Sequence, residues 1–361
     1  MVDSTPAKTE YQFESLDSLL KNSKKVITLD GGLGTELESR GLEMDSALWS
    51  SVVLVKQPQD VACLHRDYYE SGANLGISCS YQASSKSLSI YGNSIKSTYD
   101  GENIYDTEAK RSKFYDKCMD ALVKGRDEAV EGKKVNSLIK PLISGSIGPY
   151  GAALSDGSEF TGTYCESESF YKEFHSERLR YFTRHPEVDL LIIETIPVFG
   201  EIKAVVSLLE EDLVKEGIAK PYLLSMSIRD SKTLADGTPI AEVVKYLSEE
   251  TSAFKSGLLL AIGGNCLKLR YSVDFLKNLQ SVAPKGFPLS IYPNSGEIYD
   301  GISKGWSIDP ELGDDVAYEW ENIVKEWIKY GARFVGGCCR VGVADIARIH
   351  KTIVEYNETT Q

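Results

Sequence analysis

The sequence predicts an α/β protein, a (β/α)8 TIM barrel with loop insertions, and two observations carry that prediction. Short apolar or β-branched runs alternate with helix-length amphipathic segments, and the alternation recurs eight times. Continuous apolar runs of this kind mark parallel strands covered on both faces. The 361 residues, 42% apolar and 26% charged, also match a globular chain long enough for one barrel with insertions. A doubly wound sheet is the competing arrangement, but eight repeats without a linker favour closure.

The eight runs are Lys25–Leu29, Ala73–Ser78, Leu138–Ser144, Asp189–Ile193, Pro221–Met226, Gly257–Ile262, Pro288–Tyr292 and Arg333–Val335. Between the first two, Pro58 stands where a helix accepts proline. Val61, Leu64, His65, Tyr68 and Tyr69 follow at helical spacing, and Gly72 ends the segment. Thr238-Pro239 opens a second helix carrying Ile240, Val243, Val244 and Leu247. Ala317, Trp320, Ile323, Val324, Trp327 and Ile328 mark the helix before the last run, with Gly331 as its stop. Residues 1–24 read as an N-terminal extension with a short helix, and 25–361 as a single barrel domain. The polar segment Ser85–Lys113 and the loop Ser295–Gly313 are the expected insertions.

Barrels of this kind assemble their sites from the loops at the C-terminal strand ends. Those ends hold Asp30-Gly31-Gly32, Ser80-Tyr81-Gln82, Ser146 to Tyr150, Glu194-Thr195, Ser227 to Asp230, Asn265-Cys266, Pro293 to Glu297 and Cys338-Cys339. Three of the seven cysteines, Cys266, Cys338 and Cys339, therefore fall on one rim. A lone cysteine is ordinarily a small buried hydrophobe, and an adjacent pair can be a redox couple. Three together read as the ligands of a reactive zinc ion with its fourth position open, because soft thiolates select zinc over magnesium or calcium. Cys79 lies near the end of the second run and could supply a fourth sulfur. Cys63, Cys118 and Cys165 read as structural. The histidines, His65, His175, His185 and His350, fall in helical stretches away from the rim, so a histidine metal site or a Ser/His/Asp triad is not expected. Glu194 ends a very apolar run, and a carboxylate there needs a partner such as a ligand's ammonium group. Asp30, with the backbone N–H groups of Gly31-Gly32, would complete a grip on an amino acid.

DGGLGTELESRG, SYQAS, GSIGPYGA, DGSEFTGTY, IIETIP, GGNC, YPNSGEIYD and GGCCR, in this order over residues 26 to 350, resemble the homocysteine S-methyltransferase family. The resemblance implies a zinc-dependent (β/α)8 barrel that moves a methyl group to the thiol of homocysteine and yields methionine. It implies Cys266, Cys338 and Cys339 as zinc ligands, and Asp30, Gly31 and Glu194 as the homocysteine contacts. YPNSGE resembles the branch that uses a sulfonium donor, S-methylmethionine or S-adenosylmethionine, rather than betaine. Trp49, Tyr150 and Tyr164 are aromatic candidates to face such a cation.

Three other readings compete. Betaine could be the donor. Gly336-Gly337 could grip phosphate in an aldolase- or isomerase-like barrel, but no lysine ends a strand and the cysteines would go unexplained. A zinc-storing or metal-sensing protein would need a fourth ligand. The net charge of −13 speaks against a nucleic-acid partner. No apolar run is long enough to span a bilayer. The N-terminus lacks a signal-peptide pattern, so reduced thiols in the cytoplasm are expected. Oligomeric state is not legible.

Overall fold

The structure, a computed structural model, describes residues 24–99, 101–135, 141–300, 305–309 and 319–360. Eight strands, β1 (Ile27–Thr28), β2 (Leu75–Ile77), β3 (Leu142–Ile147), β4 (Leu190–Ile196), β5 (Tyr222–Met226), β6 (Leu259–Asn265), β7 (Leu289–Tyr292) and β8 (Ala332–Val335), build one sheet. Their order is β1-β8-β7-β6-β5-β4-β3-β2, and every pairing is parallel. A parallel bridge from Leu29 to Leu75 joins the two ends of that row, so the sheet closes into the expected barrel.

Successive side chains on a strand point to opposite faces, and here both faces are dry. Leu190 and Ile192 turn inward, where they meet Ile27, Leu29, Leu75, Leu142, Leu223 and Phe334. Leu191 and Ile193 turn outward onto the helices. Glu194 shares the parity of Leu190 and Ile192, so the strand geometry itself aims a carboxylate into the barrel mouth. The helix Pro58–Glu70 begins with its proline and buries Val61, Leu64, His65, Tyr68 and Tyr69. Helix Ile240–Glu249 follows Pro239, and Trp320–Lys329 buries Trp320, Ile323, Val324, Trp327 and Ile328. Ala317 and the N-terminal extension lie outside the described residues, as does the start of the third run.

Two elements differ from the sequence reading. β4 and β6 run on through Glu194 and Asn265, because ladder hydrogen bonds continue past the point where the apolar run stops. The segment Ser85–Lys113 is not a plain polar loop. Ser84 caps a helix, Ser85–Ser94, by accepting from the Ser87 N–H at 3.0 Å, and Leu88 and Tyr91 are buried. Its C-terminal part begins the long helix Glu108–Glu131. The loop after β7 contains an antiparallel hairpin, Glu297–Asp300 with Gly305–Ile308. Beyond it Asp309 accepts two bonds from Arg270, at 2.6 and 2.7 Å. Among the described residues, no helix is long and apolar enough to cross a membrane.

The last helix, Val343–Thr359, fastens the first strand. Asn357 accepts from the Val26 N–H and donates to the Val26 carbonyl, both at 2.9 Å. His350 Nδ1 meets the Thr28 hydroxyl at 3.0 Å, and its ring fills the space beside Gly72. Gly72 has φ +108°, and a Cβ there would sit 2.1 Å from the His350 ring. Gly72→Ala is therefore expected to cost about 2–4 kcal/mol through strain and overpacking. The denaturant midpoint checks this; an unchanged midpoint would show that the helix yields freely.

Candidate active site and metal centre

The three rim cysteines converge. Cys266 leaves β6, and Cys338 and Cys339 follow β8, with β7 between the two strands. The Cys266 sulfur lies 2.9 Å from that of Cys338 and 3.4 Å from that of Cys339. All three lie within 4.8 Å of one another. Thiolates bound tetrahedrally to one ion at about 2.3 Å stand about 3.8 Å apart, so this donor set fits a single metal ion. Cys79 is not part of the group: it is buried, with its sulfur 4.0 Å from the Ser50 and Ser51 hydroxyls. Cys118 is fully buried and Cys63 half-buried, but Cys165 is exposed.

Hydrogen bonds from the backbone between the strands hold the sulfurs in place. The Cys266 N–H donates to Tyr292 O at 3.2 Å and the Cys338 N–H to Pro293 O at 2.7 Å. Asn294, just after β7, spans the gap: its amide donates to Cys266 O at 3.4 Å and accepts from the Cys339 N–H at 3.2 Å. Cys266 has φ +52° and Arg340 φ +66°. Left-handed backbone at residues with side chains costs of order 1–3 kcal/mol each and persists where the surroundings impose it. Gly32 crosses so close to this loop that a Cβ would lie 2.3 Å from Cys338 O. The sulfurs share charge unevenly. S–H donation from both neighbours holds Cys339 well below the usual thiol range, while the same sharing pushes Cys266 well above it.

The two predicted carboxylates stand beside the sulfurs. Asp30 is buried; its Oδ2 accepts from the Ile77 N–H at 2.8 Å, and its Oδ1 has no partner among the described residues. Burial pushes the Asp30 carboxyl well above the usual range. Burial likewise pushes Glu194 up to about 8, against a hydrogen bond from the Ser146 hydroxyl. Charge on Cys338 raises both. Gly31 adjoins Asp30 at the same strand end.

Several neighbours escaped the sequence reading. Asn265 accepts from the Thr195 N–H and donates to the Thr195 hydroxyl, both at 2.8 Å, which locks Thr195 at φ +59° and so fixes the bend after Glu194. Tyr292 has a buried hydroxyl that feels the charges of Glu194, Cys338 and Cys266. Arg178 is buried and ties two rim loops together, donating to Tyr81 O at 3.0 Å and Gly148 O at 2.8 Å. The strand-end positions of Asn265 and Tyr292 were visible in the sequence, but not their partners, and Arg178 sits within the helix Glu168–Arg184.

The other expectations divide. His65, His175 and His350 sit in helices, while His185 lies just past a helix end. His175 is closer to the rim than expected, because it meets Glu201 at 2.8 Å and Glu201 accepts from the Tyr150 N–H at 2.6 Å. The Tyr150 ring is already engaged, with the Lys86 ammonium 4.6 Å from its centroid. Tyr164 donates its hydroxyl to Glu201 at 2.5 Å, and Trp49 packs on Gly34.

Known proteins share this arrangement. A family model described as homocysteine S-methyltransferase matches residues 27–353. The homocysteine S-methyltransferase of Escherichia coli is 35% identical over 91% of this chain and 96% of its own length. Homocysteine S-methyltransferase 1 of Saccharomyces cerevisiae is 33% identical over 94% and 97%. The crystal structure of the homocysteine methyltransferase MmuM from Escherichia coli, in its metallated form, superposes with a TM-score of 0.72 at 32% identity, covering 92% of this chain and 98% of that one. With the barrel, the cysteine cradle and nearly full-length similarity in agreement, this chain is a methyltransferase of the homocysteine S-methyltransferase family.

Proposed function

We propose that the protein moves a methyl group from a sulfonium donor, S-methylmethionine or S-adenosylmethionine, to the sulfur of L-homocysteine, with zinc held by Cys266, Cys338 and Cys339. One observation carries the reading: three converging sulfurs stand beside two buried carboxylates, and one carboxylate oxygen, Asp30 Oδ1, has no partner among the described residues. A zinc ion in this cradle supplies a Lewis acid that lets a thiol lose its proton near neutral pH.

The chain's own residues position the acceptor. Asp30 and Glu194 take the α-ammonium of homocysteine between them, which returns a charge partner to carboxyls that burial has deprived of one. Gly31 offers its backbone to the α-carboxylate. Asn265 and Ser146 fix Glu194, and Asn294 fixes the cysteine loops, so the acceptor sulfur meets the donor from one direction. A new bond forms between that sulfur and the methyl carbon while the carbon–sulfonium bond breaks. The electron pair of the broken bond returns to the donor sulfur, which leaves as a neutral thioether. The leaving group needs no proton, which suits a rim without a histidine, and alignment is the main contribution of the barrel.

Three outcomes are expected. Homocysteine supplied separately with S-methylmethionine, S-adenosylmethionine or betaine should yield methionine with a sulfonium donor; turnover with betaine alone would overturn the donor assignment. Cys338→Ala should remove bound zinc and lower methyl transfer by more than about 100-fold. Metal analysis beside the assay checks this, and a zinc-free variant of full activity would refute the role of the metal. Glu194 sets a pH dependence for binding of homoserine, a thiol-free analogue. In the free site its carboxyl titrates at about 8, so an arriving ammonium displaces a proton below that pH. Affinity should rise by up to about tenfold per pH unit from pH 6 toward 8 and then level off. Glu194→Gln should flatten the profile in titration calorimetry, and an unchanged slope would exclude Glu194 as the ammonium contact.

A further inference from the structure

Glu159, in the stretch after β3, carries a carboxylate that no side chain answers among the described residues. Its Oε2 is shut off from solvent without a hydrogen-bond partner, and no ion pair reaches it among the described residues. The short turn that holds it, Ser158–Thr161, packs on β4, the strand of Glu194 and Thr195, and on the turn Gly151–Leu154. Tyr164, pinned by its bond to Glu201, lies against Gly151 beside the Glu159 backbone. Across the mouth, the Tyr81 ring rests on Gly148, whose carbonyl Arg178 holds along with that of Tyr81.

Electrostatics link this carboxylate to the sulfurs. Burial is the main influence raising the Glu159 carboxyl, opposed by its own backbone N–H. Its charge acts on the Cys339 sulfur, and it is the strongest charge felt by the Tyr81 hydroxyl. Tyr81 in turn feels the charges of Cys266 and Glu194. A shielded anion at the mouth, facing an aromatic ring and without a counter-ion, is costly unless a cation arrives to meet it.

We propose that Glu159 recognises the positive charge of the methyl donor and is a specificity-determining residue for the sulfonium. The inference rests on the sulfonium-donor reading given above. Before transfer the donor sulfur is positive; afterwards it is a neutral thioether. The attraction of Glu159 is thus present for the substrate and gone for its demethylated product, which favours donor entry and product departure. Because the donor's charge is already fading in the transition state, the contribution belongs to donor binding rather than to the chemical step.

Steady-state kinetics of the zinc-loaded wild type, Glu159→Gln and Glu159→Asp test it. Glu159→Gln should raise KM for S-methylmethionine about tenfold or more, with kcat, KM for homocysteine and zinc content close to wild type. S-methylmethionine and methionine carry the same α-ammonium, so the ratio of donor KM to the inhibition constant of methionine against the donor isolates the sulfonium charge. That preference should collapse in Glu159→Gln and be partly restored in Glu159→Asp. A donor KM unchanged in Glu159→Gln overturns the proposal while leaving sulfonium-dependent transfer standing. A parallel loss of zinc, of homocysteine affinity and of the unfolding midpoint would assign Glu159 a structural role instead. A wild-type protein that takes no methyl group from any sulfonium overturns both readings.

Discussion

Three sulfurs that repel one another once ionised have to be held at one point, and a single side-chain amide carries much of that task. Asn294 follows β7, the strand that separates the cysteine of β6 from the pair after β8, and its two ends fasten the two loops to each other. Without it the two loops, with their left-handed residues Cys266 on one side and Arg340 on the other, would be joined only through their backbone bonds to residues 292–295. The barrel supplies the approach of the strands, but neighbouring strands lie about 4.8 Å apart. Bringing sulfurs from β6 and β8 together across an intervening strand requires this further restraint.

The second constraint is the placing of charge inside an apolar wall. Asp30 and Glu194 lie where the strand alternation would otherwise put leucine or isoleucine, and burial raises both well above ordinary carboxyls. Such groups lower the stability of the ligand-free protein as the pH rises above their unfolded values, because the folded state holds on to protons that the unfolded chain would release. A ligand ammonium reverses that penalty at the moment of binding. The hydrogen bonds to Ile77, Ser146 and, through Thr195, Asn265 keep the carboxylates aimed while they wait.

Much of the fold was legible because eight dry strands have a simple signature, and all eight runs became barrel strands. The ends of β4 and β6 were not, since Glu194 and Gly263–Asn265 break the apolar run while the ladder continues. The helix Ser85–Ser94 was hidden for a related reason: its buried stripe is only Leu88 and Tyr91 among serines, too thin for periodicity to detect. At the site, residues with scarce chemistry stood out, the clustered cysteines above all. Asn265, Asn294, Arg178 and Glu159 did not, because polar residues at strand ends, in helices and in turns are common and what distinguishes these four is their surroundings in the fold. Cys165, read as structural because it ends no strand, carries an exposed thiol, since lying off the rim does not decide burial.

The pairing of β1 with β8, secured by the bonds of Asn357 to Val26, also sets an order of events in the making of the protein. A chain grows from its N-terminus, so β1 must wait with an open edge until β8 has been synthesised more than three hundred residues later. The cradle obeys the same clock, because Cys338 and Cys339 emerge directly behind β8. A partial chain presents Cys266 alone, one soft ligand and no chelate. Three converging sulfurs thereby exist only once both β6 and β8 have been made.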